Sequence, residues 1–228
     1  MLLDFQAHDR VLEDIRQHDP NTVADGAVVP QEYAQSKPRL LWILRETNGG
    51  GDWDLRRFLS SDEELFGYRH WHATFGALAK ISFGLIHNSP EASIAQMDAK
   101  DAVEALRSVA VVNVNKRGGE SRVDWESFPE EAREFSSFVD KQINALAPDV
   151  IIAAGTADHL PARFDAVSAE LGQCSIGAAR LASGVHFVKS YHTAQTTLTH
   201  HALYQQVLAS LLEAGWKHPL EPRSDHDG

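Results

Sequence analysis

The chain has 228 residues, 43% of them hydrophobic, and its 21 Lys and Arg against 32 Asp and Glu give a formal net charge of −11. This length fits one large α/β domain, and the acidic balance argues against a protein that coats nucleic acid through bulk positive charge. The single cysteine, Cys174, excludes an intramolecular disulfide, a four-cysteine zinc site and a cysteine-ligated iron–sulfur cluster, and it favours the reducing cytoplasm. Neither a signal peptide nor a stretch near ~18 apolar residues is evident, so no membrane partner is expected.

Four continuous apolar runs predict the strands of a parallel sheet, at residues 40–44, 109–114, 150–154 and 185–190. Runs that are apolar throughout are typical of strands covered on both faces. Helical patterns precede, separate and follow them, at residues 2–18, 74–86, 97–106, 129–146 and from 199 onwards. The order predicts an α/β fold with three α/β/α layers around a central four-stranded parallel sheet.

The domain organisation is predicted to be simple. Residues 1–216 are expected to form one domain, with no internal repeat, that acts as a monomer. The polar segment 217–228 contains prolines and is expected to be a flexible tail.

Polar loops follow three of the predicted strands, namely RETNGGGDWD after residue 44, NVNKRGGES after 112 and KSYHTAQ after 188. In open parallel sheets the ligand crevice lies beyond the carboxyl ends of the strands, so these loops are expected to meet there. The glycines 49–51 allow a ligand to approach the backbone closely, although their spacing matches no phosphate-binding signature and a plain flexible turn is the alternative.

Each loop offers one chemical group. Glu46 supplies a carboxylate, Asn113 an amide suited to reading a base edge, and His192 an imidazole that can stabilise developing negative charge. A turn-capping Asn and a structural His are the alternatives. The positive charge of this acidic chain gathers at the same strand ends, in Arg45, Lys116, Arg117 and Lys189.

In order and spacing, the three loops resemble those of the uracil-DNA glycosylase superfamily across roughly residues 38–214. LLWILRETNGG matches the first motif, VAVVNVNKRGG the second and SYHTAQ the third. The resemblance implies a DNA glycosylase that excises a flipped-out base from DNA in base excision repair, without a cofactor. By the same resemblance Glu46 and His192 are catalytic and Asn113 reads the base; Asp52 is an alternative to Glu46 as the acid that activates water.

The resemblance also implies a binding surface. Base contacts are expected from Asn48 and Phe66, since an extruded base needs an aromatic surface in its pocket. For Phe66, core packing is the alternative interpretation. DNA contacts are expected from Gly49, Gly50, Lys116, Arg117, Lys189 and Thr193.

Several positions depart from the family pattern. Asn48 stands where proline is usual, and Thr193-Ala194 follow His192 in place of Pro-Ser, which weakens the expected grip on DNA. Gly49 or Gly50 occupies the place of an aromatic ring that excludes 5-substituted pyrimidines. The resulting space predicts tolerance of a 5-substituted pyrimidine, including the hypermodified cytosines of phage genomes, and hence a role in anti-phage defence.

Three other functions fit parts of the sequence. A metal-dependent hydrolase is one alternative, suggested by the histidines His70, His72, His192, His200 and His201. An HxH pair alone is not a metal-binding signature, however, and no metal is expected. A nucleotide- or nucleoside-processing enzyme using Glu46 on a free ligand would suit the acidic surface. A catalytically silent member of the same fold would bind DNA or protein only.

Overall fold

Six strands form one mixed sheet at the centre of the protein. This computed structural model describes residues 2–48, 53–69, 71–89, 94, 96–119, 124–172, 174–194 and 197–219. The strands are β1 Gly26–Ala27, β2 Leu40–Leu44, β3 Thr47–Asn48, β4 Ala110–Asn113, β5 Gly118–Gly119, β6 Val150–Ala154, β7 Gly177–Arg180 and β8 His186–Ser190. In spatial order the sheet is β1-β4-β2-β6-β8-β7, and β3 pairs with β5 in a separate two-stranded ladder.

The four predicted strands are present and form the parallel centre of this sheet. β4 pairs in parallel with β2, β2 with β6, and β6 with β8. The α/β class is confirmed, but the prediction of a four-stranded, all-parallel sheet is wrong, because β1 and β7 add antiparallel edges. Neither edge has an apolar run: β1 is two small residues, and β7 reads GAAR and is largely half-exposed.

Helices cover both faces of the sheet. Along β2, Leu40, Trp42 and Leu44 pack in one hydrophobic core, whereas Leu41 and Ile43 pack in the other. The helices are α1 Phe5–His18, α2 Pro30–Gln35, α3 Leu55–Ser60, α4 Asp62–Gly67, α5 Trp71–His87, α6 Ala99–Arg107, α7 Phe128–Leu146, α8 Asp165–Leu171 and α9 His200–Glu213. The first core contains residues of α5, α6 and α9, and the second contains residues of α7 and α8.

Local capping explains where the helices begin. The Asp98 side chain accepts from the N–H of Asp101 and starts α6, and Thr199 accepts from the N–H of Ala202 and starts α9. Pro129 lies in the first turn of α7, where its missing N–H costs no hydrogen bond. The short helices α2, α3, α4 and α8 were not predicted, since six or seven residues carry little periodic signal.

The chain stays attached to the core slightly beyond the predicted domain boundary. Trp216 is buried, and His218 is buried with its Nε2 2.8 Å from the backbone oxygen of Leu85. His218 therefore packs against α5, whereas the predicted tail was to start at 217; residues 220–228 lie outside the described residues. Within the described part of the chain, no helix is both long and apolar enough to cross a membrane.

The strand order fixes where a ligand crevice lies. From β2 the chain crosses first to β4 on one side and then to β6 on the other, so the topological switch point falls between β2 and β6. Ligands of open α/β sheets bind outside the carboxyl ends of the strands at such a point. The β3–β5 ladder joins Thr47 with Gly118 and Asn48 with Gly119, and thereby connects the segments that follow β2 and β4.

Candidate active site

Several unpaired polar atoms lie at the carboxyl edge of the sheet, and others, such as Gln142 Oε1 and His186 Nε2, lie elsewhere. Four buried side-chain oxygens at this edge have no hydrogen-bond partner among the described residues: Glu46 Oε2, Thr47 Oγ1, Asn113 Oδ1 and Ser190 Oγ. Asn113 and Ser190 end β4 and β8, whereas Glu46 and Thr47 lie two and three residues after the end of β2. Because buried polar atoms in folded proteins are almost always paired, such a group of exceptions indicates a place where a ligand completes the hydrogen bonding.

Glu46 follows β2 and lies against the second ladder. A Cβ atom built at Gly119 would be only 2.5 Å from Glu46 Cγ, so glycine at this position makes room for the carboxylate. Burial raises the pKa of Glu46 above its usual value; the neighbouring Arg45 opposes that shift, and Glu131 adds to it. The site thus holds a half-buried carboxylate with one free oxygen and increased basicity.

His192 lies over the end of β6. Gly155 has a φ of +69°, and a Cβ atom there would be 3.2 Å from His192 Cβ, so a glycine allows the imidazole-bearing loop to approach. The Gly155 N–H donates to the backbone oxygen of Ser190 at 2.8 Å and ties β6 to this loop. The loop that carries His192 therefore lies beside the carboxyl end of β6, which borders the switch point.

The hydrogen bonding of His192 defines its tautomer. Its Nδ1 accepts from the backbone N–H of Ala194 at 3.1 Å, so in the neutral ring the proton is on Nε2. Burial, followed by the positive charge of Arg45, lowers the pKa of His192 to about 4. At neutral pH the ring is uncharged and presents an N–H donor.

Arg45 connects these two groups electrostatically, since its charge acts on the pKa values of both Glu46 and His192. Its guanidinium carbon lies 5.2 Å from the ring centroid of Trp125 in a cation–π contact. Burial lowers the pKa of Arg45 below its usual value. The sequence placed Arg45 among the positive charges without a role and missed Trp125, which follows no strand and belongs to no motif.

Asn113 ends β4, directly beside Leu44 of β2. Its backbone N–H donates to Asp25 Oδ2 at 2.7 Å, while its side chain is buried and leaves Oδ1 unpaired. The backbone of Asn113 is thus fixed, and its amide oxygen is free to accept a hydrogen bond. Arg45, Glu46, Asn113 and His192 are called the strand-end site below.

Lys116 is not where the sequence predicted it. Its side chain has 0% exposure, and its Nζ is 2.8 Å from Asp25 Oδ2. The other oxygen of Asp25 accepts from Gln142 Nε2 at 2.8 Å, and that nitrogen is 3.3 Å from His8 Nε2. The predicted DNA contact is thus corrected to a buried ion pair, and we call His8, Asp25, Lys116 and Gln142 the Asp25 cluster.

The other predicted DNA contacts that the structure describes, Arg117, Lys189 and Thr193, are engaged within the protein. Arg117 binds both oxygens of Glu134, at 2.7 and 2.8 Å, and also Asp19 at 2.6 Å. Lys189 donates to the backbone oxygen of Gly172 at 2.8 Å. Thr193 is buried. These side chains are already paired or inaccessible, so the structure offers a smaller basic surface than the sequence predicted.

The predicted base-binding residues are only partly described. Phe66 packs edge-to-face on Trp71, with ring centroids 5.0 Å apart, and is partly buried against the first core. The backbone of Asn48 belongs to β3, but its side chain lies outside the description. Gly49, Gly50, Gly51 and Asp52 also lie outside the described residues, so the open-pocket prediction stays a prediction.

Two of the histidines considered as metal ligands are neighbours. The rings of His72 and His200 have centroids 5.1 Å apart, and Gly76 lies beside both. His70 lies outside the described residues. In the described ranges, no group of three or more His, Cys, Asp or Glu side chains is arranged to hold a metal ion.

Compared with protein-family models, with curated proteins and with solved structures, the chain matches none.

Proposed function

We propose that the protein is a DNA glycosylase that hydrolyses the N-glycosidic bond of a pyrimidine nucleotide and leaves an abasic site. One observation carries the proposal: a half-buried carboxylate with a free oxygen, Glu46, and a neutral imidazole donor, His192, flank the switch point of one sheet. N-glycosidic cleavage needs these two groups, because positive charge develops on the sugar while negative charge develops on the departing base.

Glu46 acts on the sugar side. The bond between the sugar carbon and the base nitrogen breaks, and its electron pair leaves with the base. Water then adds to the sugar carbon, and Glu46 accepts a proton from that water. The raised pKa of Glu46 suits this role, because a more basic carboxylate is the stronger proton acceptor.

His192 and Asn113 act on the base side. The Nε2–H of His192 donates to a carbonyl oxygen of the departing base and stabilises its negative charge without transferring a proton. A neutral donor suits this purpose, since a pKa of about 4 keeps the ring uncharged at neutral pH. Asn113 reads the base edge through its unpaired amide.

The substrate we propose is uracil or a 5-substituted pyrimidine in DNA, with Gly49 and Gly50 leaving space for the substituent. Hypermodified phage bases belong to this class, which would make the protein a defence enzyme. This part of the proposal rests on the sequence alone.

A second candidate function is the processing of a free nucleotide or nucleoside by the same residues. This second function is favoured by the contacts that Lys116, Arg117 and Lys189 make within the protein, because cations engaged in this way are not available to a DNA backbone. The net charge of −11 is also more easily reconciled with a small ligand than with a polyanion.

The test is a substrate panel. The protein is incubated with single-stranded and duplex DNA carrying uracil or 5-hydroxymethylated pyrimidines, and separately with the free nucleosides, and alkali-labile abasic sites and released bases are measured. We expect the wild-type protein to release the base from DNA. The control variant Glu104→Gln, which changes an exposed residue, should retain this activity, and Glu46→Gln should strongly reduce it. Release from free nucleosides alone would support the second function, and release from neither would refute both.

A further inference from the structure

The four cations that were predicted to lie at the strand ends differ in the contacts of their side chains. Lys116 and Arg117 bind carboxylates, and Lys189 binds a backbone oxygen. Arg45 alone has neither an ion pair nor a side-chain hydrogen bond to any residue in the described ranges. Its guanidinium is also half-buried, and the nearby Glu46 carboxylate favours its charge without forming an ion pair with it.

Partial burial of a charge is unfavourable unless the charge is paired and hydrogen-bonded. Since no described side chain binds this guanidinium, an anionic group of a ligand fits the position. The position of Arg45 limits which anion this is. It directly follows β2 at the switch point and lies within electrostatic reach of Glu46 and His192, so the anion belongs to the molecule on which those residues act.

Trp125 supplies the second observation. Its side chain is 58% exposed, which is unusual for a tryptophan, and its ring contacts the guanidinium of Arg45. The ring packs edge-to-face on the buried Phe128, with centroids 5.7 Å apart. The cation–π contact therefore holds the guanidinium in place and leaves its N–H donors for a ligand, in the forked geometry that matches phosphate oxygens.

We propose that Arg45, supported by Trp125, forms a phosphate-binding subsite, which takes the phosphodiester group next to the target nucleotide. The inference rests on the proposed function, because it assumes a nucleotide at the strand-end site. It extends that function by assigning the local positive charge through which an acidic protein holds DNA.

The test measures how binding of a fluorescein-labelled single-stranded oligothymidylate depends on salt. For single strands, each phosphate contact contributes about −0.7 to the slope of log affinity against log salt. We expect Arg45→Met to make the slope less steep by about that amount, and Arg45→Lys to retain it. Arg10→Met, which removes an exposed charge from α1, is the matched control and should leave the slope unchanged.

The outcomes separate the subsite from the proposed function. If the oligonucleotide binds and Arg45→Met keeps the wild-type slope, the subsite is refuted while the glycosylase proposal stands. If thymidine monophosphate binds through Arg45 but neither thymidine nor the oligonucleotide binds, the phosphate subsite is supported and the DNA glycosylase fails. If none of these ligands binds, both are overturned. Unchanged affinity in Trp125→Leu would remove Trp125 from the subsite.

Discussion

The Asp25 cluster and the strand-end site adjoin each other at the end of β4, yet they differ in how far their charges are paired. In the Asp25 cluster, both oxygens of the carboxylate accept hydrogen bonds, and Lys116 is fully buried against it. In the strand-end site, Glu46 and Asn113 keep a free oxygen, and Arg45 forms no ion pair within the described residues. The Asp25 carboxylate is fully hydrogen-bonded, although Gln142 keeps its Oε1 unpaired. Pairing of a buried charge is typical of a structural group, whereas unpaired polar groups at a switch point are expected of a ligand site.

The largest expected effect comes from breaking the Asp25 cluster. Lys116→Met leaves the Asp25 carboxylate buried without its cation, so we expect the free energy of unfolding to fall by about 3–5 kcal/mol. Urea denaturation measures it, and Lys100→Met, on the exposed face of α6, is the control. The double variant Asp25→Asn/Lys116→Met should recover part of the loss. A change below about 1 kcal/mol in Lys116→Met would show that the pair is not structural.

The second prediction concerns acid sensitivity of the same cluster. Burial lowers the pKa of His8 to about 4, below its usual value of 6.5, so the unfolded chain binds this proton first. Above about pH 6.5, His8 is neutral in both states and the stability is retained in full. As the pH falls towards 4, proton uptake by the unfolded chain lowers the free energy of unfolding by about 3 kcal/mol. Urea denaturation at several pH values should give a flatter profile for His8→Gln than for wild type or for His87→Gln, an exposed control. Parallel profiles would contradict the assignment.

A smaller effect is expected at Gly155, where the strand-end site depends on backbone shape. Gly155→Ala puts a side chain at a φ of +69° and brings Cβ within 3.3 Å of the His192 backbone nitrogen. We expect a loss of about 1–2 kcal/mol in unfolding free energy and, because His192 shifts, a fall of ~10-fold or more in the rate of excision.

Gly215→Ala is the matched control for Gly155→Ala. Gly215 has a φ of +77°, but a Cβ there meets nothing within 4 Å, so it tests the backbone strain alone. It should lose comparable stability and no activity. Equal activity in the two variants would show that the close approach of His192 to β6 is not needed.

Whether a feature of the fold or of the candidate site could be predicted depends on how far apart its residues lie in the sequence. The parallel strands follow from continuous apolar runs, and Glu46, Asn113 and His192 were found because each lies at or just beyond the end of such a run. The pairing of Lys116 was not predictable, since Asp25 lies 91 residues away in a segment without a motif. The edge strand β1 was missed for a similar reason: Gly26–Ala27 becomes a strand only by pairing with β4.

The central claim is that Glu46 is kept unpaired for chemistry, not for stability. The measurement that tests it most directly is Glu46→Gln, with single-turnover excision and urea denaturation followed on the same preparation. We predict that excision slows by about 10²-fold or more, because a group acting in the transition state is lost, while the free energy of unfolding is equal to or above that of wild type. Unchanged excision, or a large loss of stability, would contradict the account.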